Sequence, residues 1–416
     1  MTTICAEGSD RGTGKVRTRG WAASVTMAAT VFTVVTAEML PVGLLTPLSS
    51  ALHVTEGAAG LSLTVTGIVA AIAPPVLPAL LGKLDRRTVL SALMVLLAVA
   101  ALAAAIAPVF AVYLAARVLM GISIGGVWLL AVGLARRVVP ENAVGPATSL
   151  IFSGIGIASV LGIPAGAYVG ELVGWRWAFA GVGVLSIVLA GALRYYLPSL
   201  TAENAVRLRD VGAVLRVKQV RVGLALVALI VTGHFAAYTY VRPMIEPHTG
   251  PALIGTLLLA YGVAGVVGNF LTGALPPVRA LMIVAGGIGL VSFAMPVLGT
   301  TLAGSLVLLV IWGFSYGGTS VSVQAWAHAV APSAPESSSA VLVGVYNGSI
   351  ALGAFTGGQV ADRFGTTTVT WLPAVLATAA LVLLLANRPA YRTAYRTAAS
   401  AAESSSPKVS SSRSGE

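Results

Sequence analysis

The stretch GIPAGAYVGELVG at residues 162–174 decides the fold, because a related stretch, GAFTGGQVADRFG, stands at residues 353–365. One constant offset aligns the two stretches, and the same offset brings Gly82 onto Gly273. The matched pairs are Gly162 with Gly353, Gly166 with Gly357, Val169 with Val360, Glu171 with Asp362, and Gly174 with Gly365. Such a repeat predicts a chain built from two related halves.

The composition indicates which solvent these halves face. Hydrophobic residues make up 57% of the chain and charged residues only 9%, whereas an average soluble domain carries roughly 25% charged residues. So few charges cannot cover a water-exposed surface of this size, and most of the chain is therefore predicted to face lipid. The net charge of +11 does not indicate nucleic acid, because the basic residues form short clusters between apolar runs.

Twelve apolar runs are long enough to cross a membrane, for which a helix needs roughly 20 residues. They predict an all-α membrane protein with twelve transmembrane helices in two pseudo-symmetric six-helix bundles. The predicted spans are 21–47, 57–81, 88–107, 109–135, 145–170, 175–197, 220–245, 252–275, 278–298, 300–328, 338–361 and 367–387. The chain then divides into an N-terminal segment 1–20, a first bundle 21–197, a linker 198–219, a second bundle 220–387 and a tail 388–416.

The basic residues give the orientation of these spans. With twelve spans and both termini in the cytoplasm, all but four of the 25 Lys and Arg residues fall on the cytoplasmic side. This asymmetry follows the tendency of cytoplasmic loops to carry Lys and Arg. The exceptions are Arg117, Arg176, Arg242 and Arg363. We therefore expect a multi-pass protein of the inner, or plasma, membrane with both termini cytoplasmic.

The segments outside the spans are polar. A cleaved signal peptide is an alternative for the N-terminus, but its apolar region is about 7–15 residues long, and this one runs from Trp21 to about Leu48. An uncleaved first span is therefore expected. The linker 198–219 forms either an amphipathic turn on the inner membrane surface or a solvated loop. The tail 388–416 is rich in Ser and Ala and is predicted to be disordered. The single cysteine, Cys5, excludes an internal disulfide.

Small residues recur every four positions on two predicted helices. Gly162 and Gly166 lie on the fifth span, with Pro164 between them, and Gly353 and Gly357 lie on the eleventh. Such faces let a neighbouring backbone approach closely. Two interpretations stay open, namely static packing or a hinge surface where the two halves contact and rock. The matched position in both halves favours the second.

Three ionisable residues lie inside predicted spans. An ionisable side chain at membrane depth carries a high free-energy cost, so each is a candidate functional residue. Glu38 is in the first span, Arg117 in the fourth and His234 in the seventh, and a rise of about 1.5 Å per residue places them near one depth. A Glu38–Arg117 pair could carry a proton, because a desolvated carboxylate favours its protonated form and a nearby arginine favours the charged form. The alternatives are a permanent ion pair, or a Glu38 that reaches a water-filled cavity.

Further polar and aromatic residues are candidates for a cavity between the halves. They either bind a substrate or tie helices together, and for the histidine a bond to a helix carbonyl is a simpler alternative. The candidates are His234, Tyr238, Asn269, Gln324 and Asn347. No cluster of His and Cys predicts a metal, no Walker loop predicts a nucleotide, and no cofactor is expected. The sequence shows no extramembrane domain of useful size, so nothing supports a membrane enzyme or receptor.

Five motifs, in their order and spacing, resemble the major facilitator superfamily, specifically its twelve-helix drug:proton antiporters, which include the arabinose-efflux-permease-like exporters. The resemblance covers roughly residues 21–387. The motifs are TAEMLPVGLL (36–45), GKLDRRTVL (82–90), RVLMGISIGG (117–126), LGIPAGAYVGELVGWRWAF (161–179) and YNGSIALGAFTGGQVADRFG (346–365).

The resemblance implies roles for three groups of residues. Arg117 falls on the fourth-helix arginine associated with proton coupling, and residues 154–166 fall on the glycine-and-proline region of the antiporters' fifth helix. The loop after the second helix corresponds to a conformational latch. Its members here are Gly82, Lys83, Asp85, Arg86 and Arg87. The acid departs from the widest form of the motif, because Asp85 follows Gly82 by three residues instead of four.

The resemblance also implies a function. We expect a secondary transporter, not an enzyme, that exports a small amphipathic or drug-like molecule while protons enter, by alternating access. A facilitator or exporter of a sugar or nucleoside on the same fold, without obligatory proton coupling, is the alternative. The expected partners are the small-molecule substrate, protons and the lipid bilayer, without nucleic acid, and the expected state is a monomer.

Overall fold

The protein is built from helices. The structure is a computed structural model that describes residues 7–82, 84–131, 133–200, 216–323 and 335–387, and no β-strand occurs in these ranges. Within them lie twelve helical spans that are long and apolar enough to cross a membrane. The predicted all-α fold with twelve spans is therefore confirmed.

The spans are numbered α1 to α12 in chain order. They are α1 (Arg19–Ala51), α2 (Glu56–Leu77), α3 (Arg86–Ala105), α4 (Phe110–Ala131), α5 (Glu141–Leu172), α6 (Trp175–Tyr196), α7 (Lys218–Thr249), α8 (Pro251–Gly273), α9 (Pro277–Leu298), α10 (Leu302–Val323), α11 (Val341–Phe364) and α12 (Thr366–Asn387). The spans α1 to α6 form the first half of the protein, and α7 to α12 form the second half.

The regions that flank the spans are partly described. The predicted N-terminal segment 1–20 is helical from Glu7, in continuity with α1. The tail 388–416 and linker residues 201–215 lie outside the described residues, as do Lys83 and Gln324. Because the number of spans is even, the first and last described residues lie at one end of the bundle. We call the opposite end, which carries the connections after α1, α3, α5, α7, α9 and α11, the distal end.

The two halves repeat one packing plan around a shared apolar core. In the first half α1 packs on α5, α2 on α4, and α3 on α4. In the second half α7 packs on α11, α8 on α10, and α9 on α10, which are the equivalent pairs. The halves meet along α2 with α11 and along α5 with α8. These two interfaces are also equivalent, so the contact pattern confirms the predicted pseudo-symmetry.

The small-residue faces of α5 and α11 do not lie between the halves. A side chain added at Gly162 would collide with Thr36 of α1, and one added at Gly166 would collide with Leu40 of the same helix. In the second half, Gly353 and Gly357 press in the same way against α7. The prediction that these faces form the contact between the halves is therefore wrong. They are tight packing faces inside each half, because a glycine row lets two backbones of one half approach closely.

Other glycines lie at the interface between the halves. On α2, a Cβ added at Gly67 would lie 3.0 Å from the main-chain oxygen of Asn347 on α11. On α8, Gly262 presses against the main chain of Ser159 on α5. These residues lack the regular four-residue spacing that drew attention to α5 and α11, so the period alone did not identify the interface.

The helix α5 is not regular over its full length. It consists of Val144–Ile157, a π-helical turn over Ala158–Gly162, and Ile163–Leu172. Pro164 lies two residues after the end of the π turn, and proline supplies no N–H to the preceding turn. A π-bulge is one of the ways in which a helix accommodates such a defect.

Candidate functional site

Arg117 is the most completely enclosed charge at the centre of the first half. It lies on α4, has no exposed surface, and donates three hydrogen bonds to main-chain oxygens. Its Nη1 donates to Ala37 O at 2.8 Å, its Nη2 to Glu38 O at 2.9 Å, and its Nε to Ser62 O at 3.0 Å. The guanidinium thus joins α4 to α1 and α2. It contacts the main chain of Glu38, not its carboxylate, so the predicted side-chain ion pair is wrong for this conformation.

A proline explains why a carbonyl of α1 is free for this arginine. In a regular helix, the N–H of residue 41 would donate to the carbonyl of residue 37. Residue 41 is Pro41, which has no N–H, and α1 nevertheless continues as a helix through it. Arg117 occupies the unpaired carbonyl of Ala37. The proline that follows the buried acid in the sequence therefore provides a binding position for the arginine.

Glu38 is buried and makes no ion-pair contact within the described residues. Its side chain is 5% exposed, and one carboxylate oxygen is buried without a hydrogen bond. Within the described part of the chain, no Lys, Arg or His lies in ion-pair contact with it. Arg117 lies close enough for its charge to act on this carboxylate, and the carboxylate in turn lies close enough to act on Tyr346 of α11, across the boundary between the halves. A buried acid of this kind carries a high cost when it is charged.

His234 occupies the position in the second half that Glu38 occupies in the first. Thr36 and Leu40 of α1 face Gly162 and Gly166 of α5. The equivalent pairs in the second half place Thr232 opposite Gly353 and Ala236 opposite Gly357. Glu38 lies midway between the first two contacts, and His234 lies midway between the second two. The two titratable residues are therefore related by the pseudo-symmetry of the fold.

His234 is part of an aromatic column in the second half, which we define as Tyr316, His234, Tyr238 and Tyr261. The rings of Tyr316 and His234 are parallel within 5° with centroids 3.4 Å apart. Tyr238 stacks on His234 at 4.8 Å, and Tyr261 stacks on Tyr238 at 4.7 Å. Trp312 stands edge-on beside the column and donates from Nε1 to His234 Nδ1 at 3.0 Å. This bond leaves the proton of a neutral His234 on Nε2, which is buried and has no partner among the described residues.

The predicted cavity residues separate into two groups. His234 and Tyr238 lie together in the aromatic column. Asn347 is buried on α11 and donates to Val343 O of its own helix at 3.0 Å, and Asn269 is half-buried on α8. Gln324 lies outside the described residues. Among the residues that the structure describes, no group of three His, Cys, Asp or Glu side chains could hold a metal.

Two members of the aromatic column, and the tryptophan beside it, were not predicted from the sequence. Tyr261, Trp312 and Tyr316 come from α8 and α10, and the Tyr316 hydroxyl pairs with that of Tyr346 on α11. A usable signal was present, because Trp312 and Tyr316 are four residues apart on one helix, as are His234 and Tyr238. Aromatic residues at that spacing share a helix face.

The predicted gating loop contacts the start of the linker. Asp85 caps α3 by accepting from Arg87 N at 3.0 Å, and it also accepts from Leu200 N at 2.9 Å and from Ser199 Oγ at 3.0 Å. Burial by itself would raise the pKa of the Asp85 carboxyl. The three hydrogen bonds and the Arg87 charge outweigh burial and hold the pKa below its ordinary value. Arg86 N donates to Leu200 O at 3.0 Å, and Gly82 adopts a positive φ of 50°.

A second arginine closes the distal end between the halves. Arg242 of α7 is 2% exposed, and its Nη1 donates to Gly43 O of α1 at 2.7 Å. Its Nη2 lies 3.1 Å from Glu171 of α5 and 2.9 Å from Glu246 of α7. Pro47 has no N–H for the carbonyl of Gly43, so a proline of α1 again frees a carbonyl for an arginine. The sequence had assigned Arg242 only to the outside of the membrane.

The repeat partner of Glu171 makes the equivalent closure at the other interface. Asp362 of α11 accepts from Gly57 N at 3.0 Å and from Thr55 Oγ1 at 2.8 Å, both at the start of α2. A carboxylate at a helix N-terminus pairs with free N–H groups and with the helix dipole. Glu171 and Asp362 thus both bind the opposite half, and the distal ends of the two halves are held together at both interfaces.

Comparison with known proteins places this geometry in a family. The sequence profile of the Major Facilitator Superfamily matches residues 26–357. The chain is 33% identical over 88% of its length to the transcription regulatory protein OpdE of Pseudomonas aeruginosa, of which the match covers 92%. It is 30% identical over 93% of its length to the purine ribonucleoside efflux pump NepI of Escherichia coli strain K12, of which the match covers 98%.

A solved structure gives the same fold. A bacterial homolog of the human lysosomal transporter Spinster, in an inward-facing and unoccupied conformation, matches with a TM-score of 0.64 and 15% identity. The match covers 92% of this chain and 98% of that one. The twelve spans, the repeated halves and the sequence profile agree, and the chain belongs to the major facilitator superfamily of membrane transporters.

Proposed function

We propose that the protein exports a small amphipathic, drug-like molecule in exchange for protons, with Glu38 as the proton-carrying residue. One observation carries the proposal. Glu38 is buried near the boundary between the halves, and no cation forms an ion pair with its carboxylate within the described structure. An acid in this position is stable when protonated and costly when charged. Movement of the halves that admits water to Glu38 therefore releases a proton.

Arg117 supports this cycle without forming an ion pair. Its guanidinium is fixed by carbonyls of α1 and α2, so its positive charge stays beside Glu38. A fixed positive charge favours the charged form of the acid once water reaches the site. Arg117 thus limits how tightly Glu38 keeps its proton.

Alternating access would proceed by opening the distal closure formed by Arg242 and Asp362. The gating loop, with Gly82, Lys83, Asp85, Arg86 and Arg87, would act at the opposite end, where Asp85 already binds the start of the linker. The glycine faces of α5 and α11 would keep each half rigid during the motion. We further propose that the protein works as a monomer in the lipid bilayer of the inner membrane, with both termini in the cytoplasm, as the distribution of basic residues favours.

The test uses purified protein in proteoliposomes with an imposed pH gradient. Addition of ethidium, an amphipathic probe, should move protons through the wild type, and Glu38→Gln should abolish this proton flux while ethidium-for-ethidium exchange persists. Glu141→Gln, which changes an exposed acid at the start of α5, serves as the matched control and should behave as the wild type. Transport that is indifferent to the gradient in the wild type would instead support a facilitator.

A nucleoside exporter is the second candidate. The relative named as a purine ribonucleoside efflux pump matches over nearly its whole length. The aromatic column adds an observation from this chain, since a base can stack on such rings. Inosine used in place of ethidium in the same proteoliposomes distinguishes the two substrates.

A further inference from the structure

The aromatic column ends at Tyr316, whose ring is half-buried. His234 covers one face of Tyr316, and Phe235 meets that ring edge-on. No other described ring stacks on the opposite face of Tyr316. Tyr316 and its hydrogen-bond partner Tyr346 are both half-buried, while His234 and Trp312 behind them are fully buried. The column therefore presents a flat, rigid surface at its Tyr316 end.

The first half contributes an unsatisfied acceptor to the same region. Glu38 interacts electrostatically with Tyr346, which is bonded to Tyr316. One Glu38 oxygen is buried and accepts no hydrogen bond in the described structure. Buried polar atoms are almost always hydrogen-bonded, so a ligand that donates at this point would satisfy Glu38. Arg117 already places a positive charge beside the acid, so a neutral ring N–H is sufficient as the donor.

We propose that the region between Glu38 and the Tyr316–Tyr346 pair binds a neutral planar nitrogen heterocycle. Its ring stacks on the face of Tyr316 opposite His234, and an N–H on its edge donates to the Glu38 carboxyl group. A purine base with a ring N–H has this chemistry, whereas a sugar has no plane to stack. This inference specifies the substrate of the site in the proposed function and rests on it.

The experiment measures equilibrium binding of radiolabelled inosine to the purified full-length protein in detergent, with no pH gradient. Stacking of a base on an aromatic side chain contributes about 1–3 kcal/mol, so Tyr316→Leu should weaken inosine binding about 5- to 150-fold. Tyr316→Phe keeps the ring and should stay within about threefold of the wild type. Phe293→Leu, which removes a lipid-facing aromatic residue of the same half, is the matched control and should not change binding.

Changes in the ligand test the same site on the unaltered protein, so that misfolding of a variant cannot decide the result. An unsatisfied buried polar group costs about 1–3 kcal/mol, so 1-methylinosine, which lacks the N1–H, should bind at least about fivefold more weakly than inosine. Ribose should not compete with inosine. Competition by ribose, equal binding of 1-methylinosine, or unchanged binding to Tyr316→Leu would overturn the proposal.

The outcomes separate this inference from the proposed function. If the wild type binds inosine but moves no protons, the heterocycle site is supported and proton antiport is refuted. If the wild type exchanges ethidium for protons but binds no inosine, proton antiport is supported and the heterocycle site is refuted.

Discussion

Replacing Arg242 with methionine should open the distal end of the protein. Arg242 makes two contacts from α7 to the first half, one to Gly43 O at 2.7 Å and one to Glu171 at 3.1 Å. A hydrogen bond from a charged group contributes about 1.5–3 kcal/mol. The Glu171 side chain is 35% exposed, and an ion pair of that kind adds about 0.5–1 kcal/mol. The two contacts together favour the closed distal end by about 2–4 kcal/mol, or about 30- to 700-fold in population.

The distance between two spin labels on the distal surface measures this population. His53 and Thr367 are exposed, lie in opposite halves, and can each be replaced by a labelled cysteine after Cys5→Ser. Arg242→Met should shift the distance distribution towards longer values. Arg176→Met is the matched control, because Arg176 bonds Ala107 within the first half at the same end. An unchanged distribution in Arg242→Met, or an equal shift in Arg176→Met, would refute the assigned role.

A second substitution separates closure from stability. Arg242→Met leaves the buried carbonyl of Gly43 without a donor, which costs about 1–3 kcal/mol. Pro47→Ala restores a backbone N–H at the position that serves this carbonyl in a regular helix. The double variant should therefore regain thermal stability relative to Arg242→Met while its distal end stays open. Recovery of the closed distance in the double variant would contradict the arginine bridge.

Two further predictions concern packing and pH. Gly353→Ala should destabilise the protein by about 1–3 kcal/mol through overpacking, since its Cβ would lie 2.5 Å from Thr232 O, whereas Gly348→Ala on the same helix meets nothing within 4 Å and should leave the melting temperature nearly unchanged. Because the pKa of Asp85 is held below its ordinary value, its contribution to stability is present above the unfolded pKa of about 3.9 and is lost as the pH falls through the folded pKa. The melting-temperature difference between wild type and Asp85→Asn should accordingly be largest at neutral pH and vanish in acid, and a difference independent of pH would contradict it.

The fold could be predicted from the sequence because its determinants are cumulative. Each span is a long apolar run, and the basic residues and the repeat at 162–174 and 353–365 constrain the number of spans independently. An error of a few residues at one boundary leaves the count of twelve unchanged. The partners of the glycine faces of α5 and α11 could not be assigned in the same way. A four-residue period shows that the side chains on one helix face are small, but it does not show which helix packs against that face.

The site was predicted less completely, because its residues act through partners that are distant in the chain. The cost of a buried charge identified Glu38, Arg117 and His234. Their partners depend on side-chain direction, and Arg117 meets carbonyls that only the three-dimensional path of α1 brings within reach. Tyr316 carries no charge, so the cost of burial did not single it out, and beyond its spacing from Trp312 it is identified by its packing on His234.

The two prolines of α1 connect the position of Arg117 to the distal closure. Pro41 frees the carbonyl that Arg117 of the same half occupies, and Pro47 frees the carbonyl that Arg242 of the other half occupies. Both positions lie on one continuous helix, and at a rise of about 1.5 Å per residue Glu38 and Gly43 are separated by about 7.5 Å along its axis. Opening the distal end must break only the second contact, since the first lies within one half. A shift of α1 on release from Arg242 would therefore move Glu38, while Arg117 still holds the same part of the helix. Under the proposed function, this movement would couple the exposure of the acid to the opening of the distal end.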